Sequence, residues 1–259
     1  MNKNRSRGLH GRVIHDLGRR IVSGEITAGA PLPGQQEECC AWLGVSRSVL
    51  REALRVLAAK GLVDARPKAG TFVRSREAWN FLDSDVLEWR LATAEADKVM
   101  DQLYELRQMV EPVAASMAAS KAKLADFQRM GQAYEEMAAA GNDEHVVEPD
   151  LKFHRAIIAA SGNDLFASLG QVVEAALLVS FRIGAGNPQG QRYSLEMHKA
   201  ILDAIVDRDG AAARLAMQKL IEYSRQTVLE LRATRGGKVR SKTRTAKPRS
   251  PKAKHRRSA

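Results

Sequence analysis

The sequence predicts a mainly α-helical protein in two parts, an N-terminal winged helix-turn-helix followed by an all-helical bundle. Three observations support this prediction. Three helical segments and a short hairpin follow one another within the first 75 residues, apolar residues recur at helical spacing from about residue 97 onward, and 44% of the 259 residues are hydrophobic. A chain of this length and composition can bury a substantial core, which excludes a fibrous or wholly disordered protein.

The N-terminal part reads as three helices and two strands in the order of a winged helix-turn-helix. The third helix has a good N-cap in Ser46, a good stop in Gly61, and apolar residues at i, i+3, i+4 and i+7 between them. A hairpin follows around a Pro-Lys-Ala-Gly turn. The expected elements are a basic arm over 1–11, helices over 12–23 and 35–43, the helix after Ser46, and strands over 62–65 and 71–74, with the DNA-binding domain spanning 12–75.

Polar residues at the start of the third helix and in the turn between the strands are the candidates for DNA contact. In a helix-turn-helix the N-terminal residues of the second motif helix enter the major groove, where arginine can bridge two acceptors of guanine. The alternative is an ordinary amphipathic helix with a charged outer face, but the caps and the hairpin would then coincide by accident. The candidates are Ser46, Arg47, Ser48 and Arg51 on the helix and Lys68 and Gly70 in the turn.

The rest of the chain is predicted to contain a linker over 76–96, a helical effector-binding and dimerisation domain over 97–235, and a disordered basic tail over 236–259. Gly-Asn and Asp-Gly pairs mark breaks between the helices. The expected helices cover 97–120, 123–140, 144–161, 164–184, 190–207 and 210–235.

Charge and composition limit the classes of function. The chain holds 41 Lys and Arg against 30 Asp and Glu, and ten of the basic residues lie in 236–259, which contains no acidic residue. Basic ends around an acidic middle favour contact with a polyanion such as DNA. The sequence has no unbroken run of about 18 apolar residues and no apolar region after its basic start, so we expect neither a membrane span nor a secretory signal. Two adjacent cysteines cannot form a disulfide framework. We therefore expect a cytoplasmic protein.

Asp150, His154 and His198 are the candidate metal ligands. Asp150 and His154 lie four residues apart and thus on one face of a predicted helix, and His198 lies on an apolar stripe with Leu195 and Leu202. One carboxylate and two imidazoles facing one core suit zinc, nickel or manganese. The pattern by itself is weak, because an inward-facing histidine is more often a hydrogen-bonded core residue.

Residues 12–75 resemble the DNA-binding domain of GntR-type bacterial transcription regulators, with the signature VSRSVLREALRVLAAKGLV. Residues 97–232 resemble the FCD class of the FadR-like subfamily, in which DLKFH and EMHKAI fall where Asp, His and His ligands occur. A third histidine of that class is replaced here by Leu220. The resemblance therefore implies at most three protein ligands, with water or the effector completing the shell, or else a site that binds its ligand without metal.

The same resemblance implies a small carboxylate as effector. Arg107, in YELRQMVEP, matches a family arginine that reaches into the pocket, and a guanidinium pairs well with a carboxylate. Asn163 and Arg182 are weaker effector-binding candidates, and each also suits a structural role. In its connector WNFLDSDVLEW and in the absence of the third histidine, the chain resembles repressors that respond to D-galactonate and to other sugar acids.

These expectations combine in a homodimeric repressor that a small carboxylate, most simply a sugar acid such as D-galactonate, releases from a double-stranded DNA operator. Another hydroxy, amino or acyl acid is the alternative effector. Two hypotheses of other classes remain at this stage: a metal-dependent enzyme that uses Asp150, His154 and His198, and an architectural DNA-binding protein. No general base or nucleophile motif accompanies the three candidate ligands, and an architectural protein would not need the polar cluster.

Overall fold

A computed structural model describes the chain over residues 8–32, 36–66, 69–140, 144–184 and 188–243. Within these ranges the side chains of residues 36, 37, 144, 182–184, 188–191 and 234–243 are not described. The described residues form the predicted mainly helical fold, with one two-stranded sheet near the N-terminus.

The N-terminal domain contains, in its described residues, three helices and an antiparallel hairpin. Their bounds are α1 Leu9–Val22, α2 Gln36–Leu43, α3 Arg47–Ala59, β1 Val63–Arg66 and β2 Gly70–Val73. Helix α1 begins three residues before the predicted start, and both strands are offset by one residue from the prediction. The reason for the offset of β1 is local: the Leu62 N–H closes the end of α3 by donating to the Leu57 carbonyl at 3.0 Å.

Gly61 allows the sharp reversal between α3 and β1. It has a φ of 77°, and a Cβ at this position would lie 2.1 Å from the carbonyl oxygen of Ala78. The core beneath this reversal contains Leu17, Leu50 and Leu57, all of which are fully buried. Cys39 and Cys40 are free thiols buried at its edge. They pack in the core as small apolar residues.

A further helix, α4, spans Ser84–Leu91 in the segment that the sequence predicts as a linker. Asp83 caps it, because one carboxylate oxygen accepts hydrogen bonds from Asp85 N at 3.0 Å and Val86 N at 3.2 Å. Trp89 belongs to the core of the N-terminal domain and Leu87 to the core of the helical domain. The segment over 76–96 is therefore more than a linker, since α4 packs into both domains.

Six helices form the C-terminal domain in the part of the chain that is described. Their bounds are α5 Ala96–Lys121, α6 Leu124–Ala140, α7 Val147–Ala160, α8 Asp164–Gly184, α9 Pro188–Val206 and α10 Gly210–Thr243, with a short 3₁₀ turn over Glu144–Val146 before α7. Helix α5 lies at the centre and contacts α7, α8, α9 and α10. Side chains that point inward from α5, α7 and α9 consequently meet in one place.

Helix α10 continues to Thr243, eight residues beyond the predicted end of the helical domain at 235. The tail was expected to be disordered because it has few apolar residues, but polar residues can extend a helix whose preceding turns are already packed. Residues 244–259 lie outside the described residues.

One helix in the described part of the chain is long and apolar enough to cross a membrane, judged by length and composition alone. It is the segment Asp164–Phe181 of α8, with a mean hydropathy of 1.5 and 28% of its residues buried. The segment does not contradict the expectation from the sequence, since Gln171 and Glu174 interrupt it and leave no unbroken apolar run of about 18 residues. A single helix of this kind is weak evidence for a membrane protein.

Candidate effector site and DNA-binding surface

The start of α3 presents the four predicted polar residues to solvent. The Ser46 Oγ caps the helix by accepting a hydrogen bond from Val49 N at 3.4 Å. Arg47, Ser48 and Arg51 are exposed, whereas Leu50 on the opposite face is 1% exposed. The helix is therefore anchored through its apolar stripe and leaves two arginines and two hydroxyls on its outer face, the arrangement that major-groove recognition requires. Their contact with DNA stays a prediction.

The wing is described only in part. Gly70 is exposed and opens β2 with a φ of 96°, and Lys68 lies outside the described residues. Arg66, at the end of β1, is a further basic residue of the wing, and its exposed guanidinium lies 4.6 Å from the ring centroid of Phe72. This contact places a further positive charge beside the turn of the hairpin.

Asp150, His154 and His198 come together inside the helical domain, as the sequence predicts. Helix α7 carries the first two and α9 the third, and all three side chains are buried. One ligand atom from each lies within 4.8 Å of the others. The His198 Nε2 is 3.0 Å from the Asp150 Oδ1, yet this nitrogen and the Asp150 Oδ2 have no hydrogen-bond partner among the described residues. Two buried polar atoms are thus left without the hydrogen bond that burial normally requires.

The second nitrogen of each histidine is bonded, and these bonds decide which nitrogen is free. The His198 Nδ1 lies 2.7 Å from the Ser194 carbonyl oxygen, which can only accept, so Nδ1 carries the proton. The His154 Nδ1 bonds to Glu111 in the same way. In the neutral form both rings therefore turn an Nε2 lone pair toward Asp150, an arrangement typical of metal ligands.

Arg107 lies beside this cluster and is 1% exposed. Its Nε donates to the Glu111 Oε1 at 2.6 Å, one helical turn along α5. The Nη1 of the same guanidinium is buried and has no hydrogen-bond partner in the described part of the chain. A guanidinium held on one side and free on the other has a donor available for an anion.

The charges of the cluster stabilise one another. Burial alone would raise the pKa of Glu111, but Arg107 and His154 outweigh it and lower that pKa to about 2. Burial likewise opposes ionisation of Asp150, whereas a proton on the facing His198 or His154 ring and the charge of Arg107 lower the Asp150 pKa below its ordinary value. Burial also opposes the charge of Arg107, yet Glu111 raises the Arg107 pKa above its usual value. Both carboxylates and the guanidinium are thus ionised at neutral pH.

The other predicted residues have different positions. The Asn163 Oδ1 accepts hydrogen bonds from Leu165 N at 3.0 Å and Phe166 N at 3.4 Å, so Asn163 caps α8 and has a structural role. Arg182 lies on α8, but its side chain is outside the described set. Leu220 is buried in the core of the helical domain and supplies no ligand.

Sequence reasoning missed Glu111. The available signal was its spacing of four residues from Arg107, which places the two side chains on one face of a helix. That spacing indicates an ion pair but not its burial, and it gives no sign of His154, which is 43 residues further along the chain.

The residues present fit a divalent cation. Two imidazole nitrogens and a carboxylate are a donor set that zinc, nickel and manganese accept. The Asp150 Oδ2 and the His198 Nε2, which have no partner in the described part of the chain, are the atoms that a cation would satisfy. Both histidines also have the second hydrogen bond that fixes a ligating ring.

Two family models match the chain. Residues 9–73 match the model described as bacterial regulatory proteins, gntR family, and residues 102–223 match the FCD domain. Both matches confirm the resemblance noted from the sequence.

Individual proteins are similar over most of the chain. The galactonate operon transcriptional repressor of Escherichia coli (strain K12) is 33% identical over 222 residues, 85% of this chain and 96% of that protein. The Uxu operon transcriptional regulator of the same organism is 32% identical over 238 residues, 85% of each chain. The solved structure of Streptococcus agalactiae GntR is 27% identical with a TM-score of 0.50, and the match covers 84% of this chain and 99% of that one. These proteins are regulators, and the hypothesis of a metal-dependent enzyme finds no support among them.

Proposed function

The chain belongs to the GntR family of bacterial transcription regulators with an FCD domain, and we propose that it is a repressor which a sugar acid releases from its operator. The observation that supports the effector half of this proposal is the buried Nη1 of Arg107 beside the Asp150, His154 and His198 cluster, which has no hydrogen-bond partner among the described residues. D-galactonate is the first candidate ligand, because the Escherichia coli relative is named as a repressor of the galactonate operon.

The charges of the cluster favour an effector with a single carboxylate. Arg107 contributes one positive charge, while Glu111 and Asp150 contribute two negative charges, so the group carries one net negative charge when both histidines are neutral. A divalent cation would change this to one net positive charge, which a monoanion such as an aldonate neutralises. A dianion would leave a buried net negative charge, and burial of such a charge is costly.

Asp150, His154 and His198 would hold the cation, and we propose zinc, nickel or manganese in this role. A bound cation supplies positive charge to carboxylate or hydroxyl oxygens of the effector. Arg107 would bind the carboxylate through its free donor, and the buried surroundings would strengthen this pairing by excluding water.

The DNA-binding half rests on α3. In a homodimer two copies of α3 would enter successive major-groove faces of a near-palindromic operator. At the start of α3, the residues at the DNA would be Ser46, Arg47, Ser48 and Arg51. The wing residues Lys68 and Gly70 would lie near the adjacent groove. The effector would lower operator affinity by binding the two states of the dimer with different affinity, typically a difference of about 1–3 kcal/mol. Such a protein acts in the cytoplasm.

A thermal-shift screen tests the effector. Metal-stripped protein is heated with D-galactonate, with the dicarboxylate galactarate, and with other hydroxy, amino and acyl acids, each with and without zinc. We expect D-galactonate or another aldonate to raise the melting temperature most, because a ligand of the folded state stabilises it by mass action.

Arg107→Lys and Arg155→Lys provide the matched pair of variants. A lysine at position 107 keeps the charge but not the planar fork, so the ligand-induced shift should largely disappear. Arg155 pairs with Glu174 at the protein surface, and its replacement should leave the shift unchanged. A shift with another acid alone would replace the sugar-acid effector, and no shift with any acid would contradict the effector site itself.

A further inference from the structure

We propose that Glu111 is a positioning residue that couples metal binding at His154 to effector binding at Arg107. The inference rests on the proposed function and deepens it, because it assigns a regulatory role within the same site to a residue that contacts neither proposed ligand. It starts from one carboxylate whose two oxygens have different partners: Oε1 accepts from Arg107 Nε, and Oε2 bonds to His154 Nδ1.

The bond to His154 decides which ring nitrogen can bind a cation. An ionised carboxylate only accepts hydrogen bonds, so Glu111 requires the proton to be on the His154 Nδ1. The Nε2 lone pair is then free and faces Asp150, whose Oδ2 is 3.9 Å away. If the tautomer were reversed, an N–H would point at the proposed cation position and the ring could not ligate.

The bond to Arg107 decides which donor remains free for the effector. Glu111 engages the Nε of the guanidinium and leaves Nη1 buried without a partner among the described residues. A displacement of the guanidinium toward a bound carboxylate therefore acts on the Glu111 carboxylate and through it on His154. Because binding linkage is reciprocal, a cation at His154 should favour effector binding by the factor by which the effector favours the cation.

The pattern of unpaired atoms argues against a role in stability alone. A buried ion network that served only the fold would be expected to satisfy all of its polar atoms, since a partly satisfied network is costly. Here both oxygens at the centre of the network are bonded, whereas its outer atoms on Arg107, Asp150 and His198 lack partners within the described chain. At one end of the network the Arg107 Nη1 can donate to an anion, and at the other end Asp150 and His198 can bind a cation. Glu111 lies between the two ends.

Glu111→Gln tests the coupling, with Glu174→Gln as the matched control. Glu174 also receives an arginine Nε, from Arg155, but lies at the surface. Titration of metal-stripped protein with zinc, followed by D-galactonate with and without zinc, gives both affinities and their coupling. We expect Glu111→Gln to weaken zinc binding by about 10–100-fold, as loss of an outer-shell partner does. The factor by which zinc improves galactonate binding should fall to the part that the cation contributes by acting on the effector directly, and the control should match the wild type.

Nitrogen-15 NMR of the histidine rings separates positioning from a merely structural role. A carboxamide can accept from Nδ1–H or donate to a bare Nδ1, so the His154 ring should become a mixture of tautomers in Glu111→Gln and remain a single tautomer in the wild type. If Glu111→Gln does not fold, Arg107→Lys tests the same coupling between the two sites. Arg107 is not a metal ligand, yet its replacement should weaken zinc binding several-fold because it acts on His154 through Glu111.

The outcomes are distinct. Wild-type zinc affinity and unchanged coupling in a folded Glu111→Gln protein would overturn the inference while leaving the proposed function intact. If only Arg107→Lys folds, an unchanged zinc affinity in that variant would likewise overturn the inference and leave the proposed function intact. A wild-type protein that binds neither zinc nor any acid would instead contradict the proposed function, and the coupling with it.

Discussion

The outer face of α3 and the buried cluster around Glu111 are built in opposite ways. The α3 face uses residues that are close in the sequence, and one short helix with a serine cap suffices to present them. The cluster gathers Arg107, Glu111, Asp150, His154 and His198 from three helices that only the folded domain brings together. The contrast teaches that the proposed DNA-binding surface is local and exposed, whereas the proposed effector site is buried, so the residues of the buried site also contribute to stability.

Replacement of Arg107 by alanine should give the largest effect on stability. The change leaves Glu111 buried without its cationic partner, which typically costs about 3–5 kcal/mol. Urea denaturation of the metal-free protein measures this. Arg155→Ala removes the same group from an exposed pair with Glu174 and should cost less than about 1 kcal/mol. Equal losses in the two variants would show that burial does not distinguish the cluster from the surface.

Gly18→Ala should disrupt the contact between the N-terminal core and α4. A Cβ at position 18 would lie 2.2 Å from the ring of Trp89, which is 1% exposed and donates a hydrogen bond to His15 Nδ1 at 2.9 Å. We expect a loss of about 1–3 kcal/mol in the free energy of unfolding.

The control for Gly18→Ala is a helical glycine with space around it. A Cβ added at Gly131 in α6 would have no described atom within 4 Å, so Gly131→Ala should raise stability by up to about 1 kcal/mol. Calorimetric melting of the two variants should therefore give shifts of opposite sign. A Gly18→Ala protein as stable as the wild type would mean that the Trp89 ring can move away from α1 at little cost, and that this close contact does not stabilise the protein.

Arg51→Ala should affect DNA binding and leave stability nearly unchanged. Arg51 is exposed, and loss of a base contact typically costs about 1–3 kcal/mol of operator affinity. Fluorescence anisotropy at fixed salt, on a site selected from random duplexes, measures the affinity. Arg129→Ala removes an exposed arginine from α6 and is the charge-matched control. If both variants bind equally well, Arg51 does not contribute to the interface.

The sequence predicted the local features of the fold well. Ser46, Gly61 and the apolar stripe of α3 act within a few residues of one another, so periodicity and capping suffice to find them. Asp150 and His154 were found for the same reason, as neighbours on one helix. Glu111 was not, because its partner His154 belongs to a different helix and nothing local indicates the contact.

The junction and the C-terminus departed from the sequence prediction for the same physical reason. The segment with Trp89 reads as a connector because its apolar residues serve two cores and show no single helical stripe. Helix α10 continues past residue 235 although its composition is polar, since packing of its earlier turns supports the later ones. Tertiary context thus overrides local pattern where the neighbours of an element, rather than its own residues, decide its structure.

Deletion of residues 244–259 should have the smallest effect, confined to the salt dependence of DNA binding. The deleted segment contains seven Lys and Arg and no Asp or Glu, and the cut leaves α10 whole. For every phosphate that the shortened protein no longer neutralises, the negative slope of log affinity against log salt should become less steep by about 0.9. Affinity for operator and random DNA should fall together, because phosphate contacts carry no sequence information. Titrations at several salt concentrations measure both slopes. A change in the ratio of the affinities for operator and for random DNA would mean that residues 244–259 contribute to sequence-specific recognition. Recognition would then not be confined to α3 and the wing.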